Sequence, residues 1–238
     1  METVNPYASP YSVAQSPENV RTTFYQKTYL HLAGAIGAFV ILEALLLSIP
    51  GIEQTVFGIL GTSKFSWLIV LGAFMLISWV AEKWANSDTS QGMQYAGLGL
   101  FVVAEALIFL PMLIIATTYF SGIVGQAAII TGGLFAGLTF VAFTTKKDFS
   151  FLGGILKIAG FIAIGLIVVS IFGGFNLGTW FCGAMILFAG GSILYQTSNI
   201  IHHYNPNQHV AASLGLFSSV ALLFWYVLRL LMAFTNHD

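Results

Sequence analysis

Two carboxyl side chains sit inside otherwise apolar runs. Glu43 lies in the run Tyr29–Ile49, and Glu105 in the run Tyr95–Thr117. A charge in hydrocarbon is costly, so an acid kept there is a candidate for handling an ion or a proton. Glu105 precedes Pro111 by six residues. Proline removes one backbone donor and crowds the carbonyl four residues earlier, here Leu107, so a kink or a wet, irregular stretch is expected beside Glu105. An acid next to a broken helix can line an aqueous cavity and find a second oxygen in the freed carbonyl. It can equally stay protonated as a hydrogen-bonded structural carboxyl. Glu43 lies about two turns before Pro50, close enough to reach the membrane interface.

A second group is neutral. Ser192, Gln196, Asn199 and His203 recur at i, i+4, i+7 and i+11, which places them on one face of a helix. Such a stripe is poorly tolerated facing lipid and should face the interior of a bundle, where Ser218 and Ser219 could meet it. Its other reading is interhelical hydrogen bonding that only fixes packing, at about 1 kcal/mol per contact. His202, His203 and His209 gather near the following turn. No nearby cysteine or acid completes a metal set, so a solvated interfacial cluster is expected, with no metal and no cofactor. There is no glycine-flanked nucleophilic serine, no histidine pair around a glutamate and no phosphate-cradling loop, so no enzyme is expected. Gly97 and Gly99 lie within an apolar block and are not a nucleotide fingerprint.

The elements that must position these residues are membrane helices. Of 238 residues, 57% are hydrophobic and 7% charged, too few charges to cover a soluble domain, which carries roughly 25%. The apolar residues fall into seven blocks, near Tyr29–Ile49, Phe65–Val80 (extending as far as Trp84), Tyr95–Thr117, Ala127–Thr144, Leu152–Phe172, Thr179–Asn199 and Val210–Phe234. As helices, blocks of about 20 residues cross a hydrocarbon core of ~30 Å. Breakers separate them, among them Pro50-Gly51, Ser121-Gly122 and Gly173-Gly174. Residues 1–28 read as a disordered polar tail and 29–238 as one all-α domain of seven helices in the lipid bilayer. A net charge of −1 removes any electrostatic case for nucleic acid. The single cysteine, Cys182, reads as a small buried thiol.

Lysine and arginine divide six to two between the two sides, with Arg21, Lys27, Lys83, Lys146, Lys147 and Lys157 against Lys64 and Arg229. The N-terminus is therefore expected in the cytoplasm and the C-terminus outside. Glycine pairs at close-packing spacing, such as Gly133 and Gly137, together with Gly190-Gly191 and Gly215/Ser219, predict tight helix contacts.

Three stretches carry a resemblance: Leu107-Ile108-Phe109-Leu110-Pro111; Ala136-Gly137-Leu138-Thr139 leading into Lys146-Lys147-Asp148-Phe149-Ser150-Phe151-Leu152; and Leu194-Tyr195-Gln196-Thr197-Ser198-Asn199-Ile200-Ile201-His202. With the seven-block layout, the chain resembles the Bax inhibitor-1 family as a divergent, bacterial-type member. The resemblance implies a bundle wrapped around a central last helix and a place in the bacterial inner (plasma) membrane. It also implies a pH-dependent leak of cations, notably calcium, and links to stress regulation and cell death. For some bacterial members it implies a membrane protease as partner. The family's gate resembles two coupled aspartates. Here the matching positions are Gln196 and Ser219, which do not titrate near neutral pH. Of the basic residue expected late in the second helix, only Lys83 could stand in. Glu105, Glu43, Gln196, Ser219 and Asn199 are thus the candidate lining of an ion path or gate. The alternative is a non-conducting partner of a membrane-bound protease or of membrane-protein quality control.

Overall fold

Long apolar runs without water leave a backbone one economical solution, the α-helix, which satisfies its polar groups internally. A computed structural model describes residues 12–235 except 64, 88, 89 and 146. The expected tail over residues 1–11, Lys64, Lys146 and the C-terminal Asp238 lie outside the described residues.

Among the described residues eight α-helices follow one another: α1 Glu18–Leu47, α2 Ile52–Gly61, α3 Ser66–Ala85, α4 Gln91–Tyr119, α5 Ile123–Thr145, α6 Leu152–Gly173, α7 Gly178–His202 and α8 His209–Thr235. All but α2 are long and apolar enough to cross a membrane, which gives the seven expected spans. α3 does extend through Trp84. Gly122 and Gly174 hold φ of 77° and 67° at two of the turns between spans, a backbone shape that glycine adopts without strain. The one added element, α2, is a short apolar helix of 10 residues.

The tail ends earlier than expected. α1 starts at Glu18, and before it Val13–Gln15 form a turn of 3₁₀ helix with Val13 fully buried. The Val13 N–H donates to the Tyr204 carbonyl at 2.8 Å, tying this turn to the loop between α7 and α8. Residues 12–28 therefore belong to the bundle. Hydropathy measures what lipid accepts, and a helix is free to run on into water.

The last helix is central, as the resemblance implied: α8 packs against α1, α3, α4, α5 and α7. It shares the middle with α4, two-thirds of whose most apolar stretch is buried. α6 lies outermost and packs on α7. We call the side that carries the starts of α1, α4, α6 and α8 the N-terminal face.

Of the glycines that the spacing singled out, Gly190, Gly191 and Gly215 do lie against neighbouring helices. Gly133 and Gly137 face no neighbour within contact distance. The tight seam is between α3 and α4. A Cβ on Gly97 would stand 2.5 Å from both the Ala81 carbonyl oxygen and the Ala85 nitrogen. Ala81 and Ala85 are fully buried one turn apart, so small residues on both helices let the backbones touch. Pro111 does not break α4, which runs uninterrupted through it. Cys182 is buried, as expected.

Candidate functional site

α7 and α8 carry Gln196 and Ser219, the two positions where the resemblance implies paired acids. The Gln196 amide lies directly over Gly215: a Cβ there would sit 2.9 Å from both the Gln196 Cδ and Oε1. Ser219, one turn along α8, donates its hydroxyl to the Gly215 carbonyl at 2.9 Å. Gln196 and Ser219 thus both lie against one glycine, the first over its Cα and the second on its carbonyl. The Gln196 Oε1 is buried without a partner.

Toward the N-terminal face, the Tyr29 hydroxyl faces those of Thr139 and Thr197, contributed by α1, α5 and α7. None of the three reaches hydrogen-bonding geometry, and all are buried. This convergence went unseen in the sequence, because the three residues are far apart in the chain and each is ordinary by type.

Glu105 and Glu43 are both buried, at 6% and 5% exposure. Both oxygens of Glu43 lack a partner. Phe39 of α1 meets Phe109 of α4 edge to face, ring centroids 5.2 Å apart. The two helices run parallel, Glu43 one turn beyond that contact and Glu105 one turn before it. The acids are therefore staggered by roughly 12 Å along the bundle and do not form a dyad. The second oxygen expected near Glu105 is also misplaced. Leu107, whose carbonyl Pro111 frees, lies on the exposed side of α4. Two residues are roughly 200° of helix, so that carbonyl points away from Glu105.

The polar stripe on α7 divides. Ser192 bonds back to the Phe188 carbonyl at 3.1 Å. Asn199 is half-buried, and its carbonyl closes the end of α7 by accepting from His203 and Tyr204. His203 leaves the interior and pairs with Asp148 at 3.1 Å, both about half exposed. The histidine cluster divides too. His202 stays beside His203, but Pro206 and its neighbours carry His209 to α1, where its ring lies 5.0 Å from that of His31. An acid therefore stands beside one histidine of the three. Among the described residues no group of three or more histidines, cysteines and acids gathers as a metal set would.

Asp148, in the loop between α5 and α6, is not among the acids that stand out within apolar runs. Its Oδ1 accepts from the Ser150 N–H at 2.8 Å and from the Ser198 hydroxyl at 3.2 Å, while Ser198 accepts from the Phe149 N–H at 2.8 Å. The loop between α5 and α6 is thereby pinned to the end of α7. Next to it, Gly153 lies against the Tyr195 ring, where a Cβ would come within 2.8 Å. The Ser150 N–H, with help from His203, pulls the Asp148 carboxyl down to about 2. Its docking contribution is full above about pH 4 and is lost as pH falls toward 2. Asp148→Ala should raise amide exchange at Phe149 and Ser150 about tenfold, the weight of one hydrogen bond to a charged group. Exchange unchanged from wild type at pH 7 would show that the loop is held by its aromatic side chains alone.

The arrangement of seven spans, a buried last helix and a loop pinned by the Asp-Phe-Ser run is matched by sequence comparison. The profile of the family named "Inhibitor of apoptosis-promoting Bax1" matches residues 21–236. The chain belongs to the Bax inhibitor-1 family. It is 28% identical to "Bax inhibitor 1" of Schizosaccharomyces pombe over 238 residues, 99% of this chain and 85% of the yeast protein. It is similar to a membrane protein of Vibrio cholerae, 28% identical over 171 residues, covering 71% of this chain and 74% of the other. It is also 31% identical over 144 residues to the "Golgi anti-apoptotic protein" of vaccinia virus, strain Lister, covering 55% of this chain and 54% of the viral one. Within this Bax inhibitor-1 member, Lys83, which could stand in for the basic residue expected late in the second span, lies in the last turn of α3, exposed and over the Trp79 ring, 5.3 Å from its centroid.

Proposed function

We propose that this Bax inhibitor-1 family protein is a non-enzymatic, weak cation leak, with calcium among its ions, that serves stress regulation in a bacterial plasma membrane. The observation that carries the proposal is a set of buried polar groups without hydrogen-bond partners within an apolar bundle. It comprises Tyr29, Thr139, Thr197 and Gln196 toward the N-terminal face and, about 21 Å further along α1, the carboxyl oxygens of Glu43. Buried polar atoms are nearly always hydrogen-bonded, and those that the protein leaves unpaired are served by water or an ion. Calcium favours oxygen ligands, and a path offering neutral oxygens and one or two separate acids holds it loosely.

Calcium flux into proteoliposomes of the purified protein tests this, and slow, protein-dependent uptake is expected. With both glutamates and the histidines replaced, uptake should vary less than about twofold from pH 6 to pH 8, because the glutamine and serine at the positions of the family's paired acids do not titrate in that range. A steep switch surviving removal of both glutamates and of the histidines would leave the proposal without a mechanism.

A second reading has its own support. The Gln196 side chain fills the space over Gly215, where an open gate would leave room. That plug favours a non-conducting partner of a membrane protease or of quality-control machinery. Absence of flux from well-folded protein selects it.

The sidedness proposal is independent. Six basic residues belong to the N-terminal face and two to the other, which puts the N-terminus in the cytoplasm. A reporter fused after Asp238 should read as external. A cytoplasmic readout would mean that one of the seven spans fails to cross.

A further inference from the structure

Between α1 and α4 a groove of about 650 Å³ opens sideways from the bundle. Its floor is made by small residues, Gly34, Ala35 and Ala38 on α1 and Gly99 on α4, with Leu98 and Val102 beside them. It extends along α1 from Leu30 to Leu42. Twelve residues of helix are about 18 Å long, close to the ~15 Å depth of one leaflet. The walls are apolar over this length and the polar groups collect at one end, on the N-terminal face.

That end is built. His31 Nδ1 donates to the Lys27 carbonyl at 2.6 Å, which leaves Nε2 to accept from the Tyr95 hydroxyl at 3.2 Å. The Tyr95 ring stacks on that of His31, with centroids 5.4 Å apart. Behind them His209 is buried, 5% exposed, with its Nδ1 unpartnered. The Lys27 ammonium is exposed and close enough to act electrostatically on His209, and no acid among the described residues pairs with it. A tyrosine and a lysine at this depth stand where side chains meet lipid headgroups.

We propose that this groove holds one anionic phospholipid of the leaflet at the N-terminal face, an acyl chain along Gly34, Ala38 and Gly99 and the phosphate against the Lys27 ammonium, where the His31–Tyr95 pair closes the end of the groove. Charge complementarity selects the headgroup, and the length of the groove selects the chain. The lipid would lie along α1 and α4, the two helices that carry the buried acids. The site does not depend on whether the protein conducts.

The test offers the purified full chain an equal mixture of phosphatidylglycerol and phosphatidylcholine with identical chains. Native mass spectrometry then counts what is retained. One phosphatidylglycerol per chain is expected, favoured about fivefold, the weight of one basic residue at an anionic membrane surface. Lys27→Gln should bring the two lipids to near-equal retention. The double variant Gly34→Leu, Gly99→Leu should lose both lipids. Neither glycine has a neighbour within contact distance of a Cβ, so the new side chains fill the groove itself. Equal retention of the two lipids by wild-type protein would overturn the proposal, as would full retention by the double variant. A photoreactive acyl chain gives a readout on unaltered protein, since its adducts should map to α1 and α4. Adducts confined to other helices would also overturn the proposal, as would chain-to-chain cross-links through this groove, which would assign it to a second copy.

Discussion

Gly97→Ala should destabilise this protein by about 3 kcal/mol and lower its unfolding midpoint by several degrees. The added methyl would meet the Ala81 carbonyl oxygen and the Ala85 nitrogen at 2.5 Å, and both are backbone atoms. A side chain can rotate away from such a contact, whereas a helix backbone can only move as a body. Relief therefore requires α3 and α4 to separate along their seam. Overpacking a tight site costs about 1–3 kcal/mol, and a backbone-on-backbone contact belongs at the upper end. That is a large share of the roughly 5–15 kcal/mol that holds a protein folded. Two controls isolate the cause. Gly99→Ala, two residues along the same helix, points into open space and should be silent. Gly215→Ala meets only the Gln196 side chain, which can swing aside, and should be milder. Thermal unfolding in detergent, read by size exclusion, ranks the three. Equal midpoints for Gly97→Ala and Gly99→Ala would mean that backbone contact at this seam does not hold the two helices.

That seam shows what spacing in a sequence can and cannot tell. Gly133 and Gly137 have the spacing of a packing motif and meet nothing. Gly97 has no such partner on its own helix and makes the closest contact, because the small residues opposite it, Ala81 and Ala85, belong to α3. Hydropathy revealed all seven spans, since crossing lipid constrains every residue of a span. It revealed neither the start of α1, where the chain leaves lipid, nor α2, which is too short to cross. The site was legible in the same partial way. The 3.6-residue period put Gln196 on an inward face, and the structure sets it over Gly215. The same period also put His203 inward, but the partner of His203 is Asp148, some fifty residues away on another loop. Proximity in sequence joined His209 to His202, and one proline-containing turn undid that grouping. Periodicity sorts residues by face, and only the packing of separate helices decides which faces meet.

Glu105→Gln should lower cation flux about tenfold, near 1.4 kcal/mol in the barrier, with little loss of folded protein. Glutamine keeps the shape of the side chain and its capacity to accept a hydrogen bond, while the ionisable group is deleted. At the positions where the resemblance implies the paired acids of a gate, this chain has Gln196 and Ser219. Glu105 is then the deepest carboxyl left to neutralise a cation near the middle of the bundle. It acts without the Leu107 carbonyl, which faces the other way, and without Glu43, roughly a dozen ångströms along the path. A single acid binds a divalent ion weakly, which suits a leak, because an ion held tightly does not leave. Glu43→Gln should act less, since Glu43 sits one turn from the end of α1 and nearer to water. If Glu105 is instead a neutral structural carboxyl, glutamine replaces it almost isosterically, and neither flux nor folding should change. Normal expression with unchanged flux would therefore remove Glu105 from any path. Loss of expression without a change in flux per folded molecule would make it a packing residue. Only a fall in flux at constant folded protein supports a carboxylate that meets the ion.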